Sequence, residues 1–408
     1  MDFPRALSAH VQQVAAQFPV LLVTGARQVG KTVLLRSLCG SGRTYVTLDD
    51  PLVLQMARED PALFLQRFAP PVLIDEVQYA PELLPHIKMA VDQARRPGMF
   101  WLAGSQPFPL MQDVTESLAG RVAVVQMLGF SRREALGHGN EAVPPFLPTQ
   151  QVLEALLSSA VPLDVRSLYA LIWRGSFPAM AANPQMNRDL FYASYLQTYV
   201  QRDVRDLARV NDEMAFIRFL QAVAARTGQM LNVADLASDA DVAPNTAKSW
   251  LSILEASGLV YLLQPWHSNV TKRLVKTPKL YFLDTGLCAY LTQWSSPETL
   301  EAGAMSGAIF ETWVITELLK SYWHNGKQAP FYYFRNKDQR EIDVLIERNG
   351  RFYPVECKKS ASPSREALAG ASALERLGVP VEPGAVICMV PALLPLSRTA
   401  TAVPAGVL

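Results

Sequence analysis

The chain has 408 residues, with 38 Lys and Arg against 37 Asp and Glu for a net charge of +1; that predicts about two to four domains and leaves no global field pointing to nucleic acid or a membrane. Cys39, Cys288, Cys357 and Cys388 form no C-x-x-C pair, which argues for a reducing compartment and against a structural zinc. With no apolar run near the ~20 residues of a bilayer span, and no signal-peptide core around Asp2 and Arg5, a cytoplasmic protein without a membrane partner is expected.

In chain order, residues 18–23 form the first apolar run, and Gly25-Ala26-Arg27-Gln28-Val29-Gly30-Lys31-Thr32-Val33 follows directly, ahead of a helix-like stretch over 33–39. The loop reads G-x-x-x-x-G-K-[ST] between strand and helix, the context that makes it a triphosphate cradle. Gly25 and Gly30 allow the turns that aim successive N–H groups inward, and the helix that follows adds its positive end. Lys31 is expected to reach the β- and γ-phosphates of ATP, and the Thr32 hydroxyl to ligate Mg²⁺.

A second strand is predicted over 44–48 and a third over 72–74, ending in Asp75-Glu76. Asp75 can hold the Mg²⁺ shell, and Glu76 can orient or deprotonate the attacking water. The strand over 99–103 ends in Gly104-Ser105-Gln106, where Ser105 and Gln106 can sense the γ-phosphate or position the water. Arg121 precedes the last strand, 122–128, and is either a phosphate- or neighbour-sensing arginine or one half of a surface salt bridge. The expected catalytic set is Lys31, Glu76 and Arg121, the metal ligands Thr32 and Asp75. Short apolar strands alternating with helical stretches over 1–143 predict an α/β domain with a parallel sheet.

Pro144-Pro145-Phe146-Leu147-Pro148 is a stiff connector to a helical stretch over 150–211. Residues 212–290 read as a helix-turn-helix with a wing. A helix over 216–226 has Phe216, Phe219, Leu220 and Val223 on one face. A short helix over 233–238 is capped by Asn232, and a third runs from Pro244 to Ser257. Asn245, Thr246, Lys248 and Ser249 lie on its exposed amino-terminal half, where a recognition helix meets DNA. Strands over 259–263 and 279–283 flank Lys272, Arg273 and Lys276, which with Lys279 make a basic ribbon without an acidic residue. A winged helix used for protein packing, with lysines as a solvated edge, is the other reading.

The last unit spans 300–408. A helix over 307–322 carries Glu311, and strands over 331–334, 341–346 and 351–357 follow. Period-2 alternation puts Glu356 and Lys358 on one side, where Asp343 of the neighbouring strand can face them. Two carboxylates, a lysine and a further Glu311 suit metal-assisted phosphodiester cleavage. The set resembles the PD-(D/E)xK nuclease core, with Ile342 where proline usually precedes the first aspartate. The same residues could instead ion-pair with Arg335, Arg340 and Lys359 in a fold without activity.

With these motifs assembled, most of the chain resembles the AAA-type ATPases common in bacteria and archaea that carry a C-terminal domain of unknown function. The resemblance rests on 25–32, 73–76 and 104–106, on Tyr199-Val200-Gln201-Arg202-Asp203-Val204, on 272–279 and on Asp284-Thr285-Gly286-Leu287. It implies an AAA-like ATP-binding core, a winged-helix region and a nuclease-like C-terminal domain. Related ATPases often form rings in which a neighbour's arginine completes the site, which makes a homo-oligomer the expected state and Arg121 and Arg202 the candidates. Two functions follow: a DNA-engaging ATPase with a candidate Mg²⁺-dependent nuclease, or a nucleotide switch whose other parts are protein-binding platforms.

Overall fold

A computed structural model of the chain describes residues 3–105, 117–199, 213–267, 277–336 and 338–408. Five parallel strands build the first sheet: β1 (Val20–Gly25), β2 (Thr44–Thr47), β3 (Val72–Asp75), β4 (Phe100–Ser105) and β5 (Val122–Gln126), in the order β2-β3-β4-β1-β5. β1 and β4 are buried along their whole length, as apolar strands between two helical layers must be. Alternate residues serve the two faces. Leu21, Val23, Leu73, Trp101 and Ala103 join one core, and Val20, Leu22, Val72, Ile74, Phe100 and Leu102 join the other. The second core is closed by the helices Pro51–Glu59 and Leu83–Ala94. The Asp50 side chain caps the former by accepting from the N–H groups of Leu52 and Val53, with Pro51 at the first helical position.

Parallel register brings every carboxyl end to one edge of the sheet. Gly25 pairs with Ser105 and Thr47 with Asp75, so the loop after β1 opens where β3 and β4 end.

The helices Gln150–Leu157, Val165–Arg174, Pro178–Ala182 and Arg188–Tyr199 follow. Next come Glu213–Ala225, Val233–Ala240 and Pro244–Ala256, with Trp250 edge-on to Phe216 and Phe219 at centroid distances of 5.1 and 5.5 Å. Asn232 caps the middle helix as expected. A three-stranded antiparallel sheet, β6 (Gln229–Met230), β7 (Val260–Leu263) and β8 (Lys279–Phe282), packs here in the order β6-β8-β7. β6 has no counterpart among the expected strands.

The long helix Ser306–Trp323 is buried on nearly every side, which suits its apolar sequence. The last sheet consists of β9 (Phe331–Arg335), β10 (Glu341–Arg348), β11 (Arg351–Lys358), β12 (Gly384–Cys388), β13 (Leu394–Pro395) and β14 (Ala400–Pro404), in the order β13-β14-β12-β11-β10-β9. β9–β11 form an antiparallel meander, and β12 runs parallel to both β11 and β14. The four cysteines are free thiols, and no helix among the described residues is long and apolar enough to cross a membrane.

A buried charge network fastens these parts together. Arg5 donates to Glu134 Oε1 at 3.0 Å, to the Val29 carbonyl inside the loop at 3.0 Å and to the Leu128 carbonyl after β5 at 2.8 Å. His324, after the long helix, lies 3.3 Å from the other Glu134 oxygen. Burial by itself would raise the Glu134 carboxyl, but His324 and Arg5 outweigh it and hold the group well below the usual carboxylate range. Burial pulls the Arg5 guanidinium down despite Glu134, so the network carries a desolvation cost. Its worth lies in what breaking it leaves behind, a buried guanidinium without its carboxylate.

Glu134→Ala is therefore expected to lower unfolding stability at neutral pH by about 3–5 kcal/mol in denaturant titration. A depressed carboxyl contributes fully above its unfolded value, ~4.3, and the contribution is lost as pH falls through the folded value. The gap between wild type and variant should accordingly shrink in acid, and a loss under about 1 kcal/mol at pH 7 would contradict this role.

Candidate functional site

The loop after β1 owes its shape to two glycines. Gly25 has φ +148°, and a Cβ there would lie 2.1 Å from the Met127 carbonyl oxygen, where the chain leaving β5 hydrogen-bonds to Thr24 at 2.8 Å. Gly30, at φ +93°, opens the helix Lys31–Leu38 in the left-handed region. Between them Gln28 also takes a positive φ of 61°. The Lys31 ammonium is buried in the loop and donates to the carbonyls of Gly25 and Ala26 at 3.0 and 2.8 Å. Ala26 and Val29 are buried, and Val33 is exposed. Arg27 reaches the Tyr79 hydroxyl at 3.5 Å.

The register brings Thr32 and Asp75 into contact. Thr32 Oγ1 donates to the Asp75 carboxylate, 2.9 Å from one oxygen and 3.1 Å from the other. Asp75 also accepts from the Tyr45 hydroxyl at 3.2 Å and from the Glu76 N–H at 3.1 Å. A hydroxyl beside a carboxylate is a hard-oxygen donor set, the chemistry Mg²⁺ takes. Glu76 sits at φ 57°, unusual for a side-chain-bearing residue, and its carboxylate accepts from the Gln78 amide. Gln78 also donates to Ser105 Oγ at 3.1 Å, so the ends of β3 and β4 are joined through it. Burial pushes the Glu76 carboxyl up, against the pull of Gln78 and Lys31. Tyr45 and Gln78 belong to the site and were not anticipated.

Beside the loop, a cavity of about 590 Å³ is lined by Phe3, Gly30, Val33, Phe130, Asn140 and Pro178 among others. On another side, Gly258, just past the helix Pro244–Ala256, abuts the loop; a Cβ there would lie 3.5 Å from the Ala26 nitrogen.

Arg121 is not brought to this chain's own loop. It immediately precedes β5, and its carbonyl accepts from the Val20 N–H at the amino edge of the sheet. There it pairs with Asp92 through two bonds of 2.6 and 3.0 Å. Parallel pairing puts the residue before β5 and the residue after β1 at opposite edges, which removes Arg121 from phosphate sensing within one chain.

In the middle region Asn245, Lys248 and Ser249 are exposed and Thr246 partly so, on the helix whose other face holds Ala247 and Trp250. Gln106, Arg202, Lys272, Arg273 and Lys276 lie outside the described residues. Lys279 is not part of an exposed basic ribbon. It is 4% exposed, and its ammonium faces the C-terminal carboxylates.

The C-terminal residues do meet. Asp343, one position before the Val344–Val355 pair, stands opposite Glu356 across β10 and β11. Lys358 donates to Glu356 at 2.9 Å and lies 3.9 Å from Asp343, which also accepts from the Cys357 N–H at 2.9 Å and faces Lys279 at 3.7 Å. Glu311 accepts from Lys279 at 3.1 Å and from the Tyr281 hydroxyl at 2.6 Å. Burial, then the charge of Asp343, pushes both Glu311 and Glu356 up. Among the described residues no group of three or more His, Cys, Asp or Glu is arranged to hold a metal ion, so proximity does not make Glu311, Asp343 and Glu356 a ready metal centre. The counter-ions also differ from those expected. Arg335 approaches Glu341 at 3.7 Å, Lys359 pairs with Glu301, and Arg340 contacts Ser372.

Three families match the sequence in succession: an AAA domain over residues 17–136, a domain of unknown function, DUF8612, over 165–298, and another, DUF4143, over 306–408. Uncharacterized proteins of Mycobacterium bovis and Mycobacterium tuberculosis are each 31% identical over 409 residues, covering 98% of this chain and 83% of the relative. Among solved structures, the Walker-type ATPase of Pyrococcus abyssi aligns with 71% of this chain and 96% of its own, at 16% identity and a TM-score of 0.45. The parallel sheet with its loop is thus the AAA part, a P-loop nucleotide-binding domain of ATPase type.

Gly25→Ala drives a Cβ into the Met127 carbonyl, so the loop must distort. Fluorescence titration with an ATP analogue should show at least about tenfold weaker binding, roughly 1.4 kcal/mol. Undiminished affinity would mean that the close approach to Met127 does not shape the loop.

Proposed function

This chain belongs to the family of the two mycobacterial proteins, and with its AAA domain as premise we propose that it is a Mg²⁺-dependent ATPase that engages DNA through a winged helix. The observation that carries the reading is the 2.9 Å contact of the Thr32 hydroxyl with Asp75, beside Glu76, at the sheet edge that bears the loop. Bound at Thr32 and Asp75, Mg²⁺ would neutralise charge on the phosphate oxygens. Lys31 adds a second positive charge there, and the N–H groups of the loop and of the following helix donate to the same oxygens. Glu76 orients the attacking water or takes its proton, and a carboxyl pushed up by burial is the better base for it. Gln78, bonded to Glu76 and Ser105, fixes the direction of that carboxylate.

For DNA, the reading assigns base or phosphate contacts to Asn245, Thr246 and Lys248, and backbone grip to Lys272, Arg273 and Lys276. The seating of Gly258 against Ala26 supports a link between that helix and the nucleotide loop. In a homo-oligomeric ring, Arg121, remote from its own loop, would serve a neighbour's site. A second reading applies to the nuclease-like C-terminal fold. The burial of Lys279 among its carboxylates favours a protein-binding platform over Mg²⁺-dependent cleavage.

ATP turnover by the full chain, measured in Mg²⁺ with and without single- and double-stranded DNA, tests the main reading. DNA should raise the rate severalfold. The combined Lys272→Ala, Arg273→Ala and Lys276→Ala variant should lose that stimulation and flatten the log-affinity against log-salt slope by about 2–3. Turnover indifferent to DNA, with an unchanged slope in the variant, would favour the switch-and-platform alternative.

A further inference from the structure

We propose that the acidic pocket of the C-terminal sheet already contains its cation, the ammonium of Lys279, so that β8 closes a nuclease-like carboxylate cluster against divalent metal and turns it into a joint between two sheets. The ammonium lies 3.1 Å from Glu311 Oε1, bonds to Glu341, and stands 3.7 Å from Asp343 Oδ1. Those three carboxylates come from the long helix and β10, while the lysine comes from the sheet of the middle region. An ammonium has three N–H donors and no acceptor, and three acidic side chains surround this one.

Tyr281 strengthens the assignment. It follows Lys279 by two positions, so the two side chains share one face of β8, and both donate to the same Glu311 oxygen. Lys279 also lies 5.8 Å from the centre of the Tyr333 ring on β9. A lysine this deeply buried needs compensating charge, and the carboxylates supply it. Burial alone would lower its ammonium, but Glu311, Asp343 and Glu341 more than reverse that. On the other side of Asp343, Lys358 is bonded to Glu356. A divalent ion between Glu311 and Asp343 would have to share its ligands with one ammonium and sit close to a second, and like charges at such distances repel strongly in a dry site.

The pocket should therefore behave as a metal site only after the lysine charge is removed. Mn²⁺ binding by the full chain without nucleotide, followed by electron paramagnetic resonance, compares wild type, Asp343→Asn, Lys279→Met and the double variant. Wild type and Asp343→Asn should bind Mn²⁺ alike. Lys279→Met should gain one Mn²⁺ site that wild type lacks, and the double variant should lose it. A wild-type Mn²⁺ site abolished by Asp343→Asn would overturn the proposal, as would a folded Lys279→Met that gains none. Should Lys279→Met fail to fold by circular dichroism, the wild-type comparison alone decides, since equal binding by wild type and Asp343→Asn is the proposed outcome. ATP turnover, read separately, bears on the nucleotide site and not on this one.

Discussion

The hydrogen bond between Thr32 and Asp75 exists because five strands run parallel in one register. β1 delivers the loop, β3 delivers Asp75 and Glu76, and β4 delivers Ser105, all at the carboxyl edge. Had β3 run antiparallel, its carboxylates would have ended at the edge where Arg121 now sits. The burial of β1 and β4 makes that register hard to change, since a shift of one residue would exchange the two cores that Leu21 and Leu22 separately serve. Gly25 completes the arrangement by letting the backbone pass Met127 where no Cβ fits.

Buried charge carries the organisation from this edge to the rest of the molecule. Val29 in the loop and His324 past the long helix are linked through only two side chains, Arg5 and Glu134. A parallel link runs from Arg132, whose N–H donates to Glu317 at 2.9 Å and whose guanidinium donates to the Gly406 carbonyl at 2.6 Å. Lys279 is the third, between β8 and the C-terminal carboxylates. At the Glu134 and Lys279 links, removing one partner strands a charge in a dry interior.

Much of this was legible in the sequence. β1, β3, β4 and β5 are apolar runs ended by loop residues, and the glycine loop has a spacing that serves phosphate cradling. Asn232 and Pro244 marked two helix starts that the structure repeats. Tyr45 and Gln78 were not legible, because each joins the site through tertiary placement. Tyr45 sits on a short, partly exposed strand, and Gln78 is turned back toward Glu76 by the 3₁₀ turn Val77–Tyr79. Lys279 was misread for a related reason. A basic stretch without local acids resembles a solvated ribbon, yet its partners Glu311, Glu341 and Asp343 arrive from distant parts of the chain. β12–β14 are not among the expected strands: β13 and β14 are short and end in prolines, and β12 joins the sheet through tertiary pairing with β11 and β14. Arg121 forms the surface salt bridge that the sequence left open beside a sensing role, and which edge of the sheet it takes is set only by the strand directions.

In the proposed ATPase, the oxygens of Thr32 and Asp75, with Glu76 beside them, form the working centre. Single-turnover release of phosphate from ATP in Mg²⁺, compared between wild type and Glu76→Gln at saturating nucleotide, tests it most directly. Nucleotide affinity should be unchanged and the release rate lowered by about 10²-fold or more, in the range that general-base catalysis supplies. Phosphate release at the wild-type rate in the variant would contradict it.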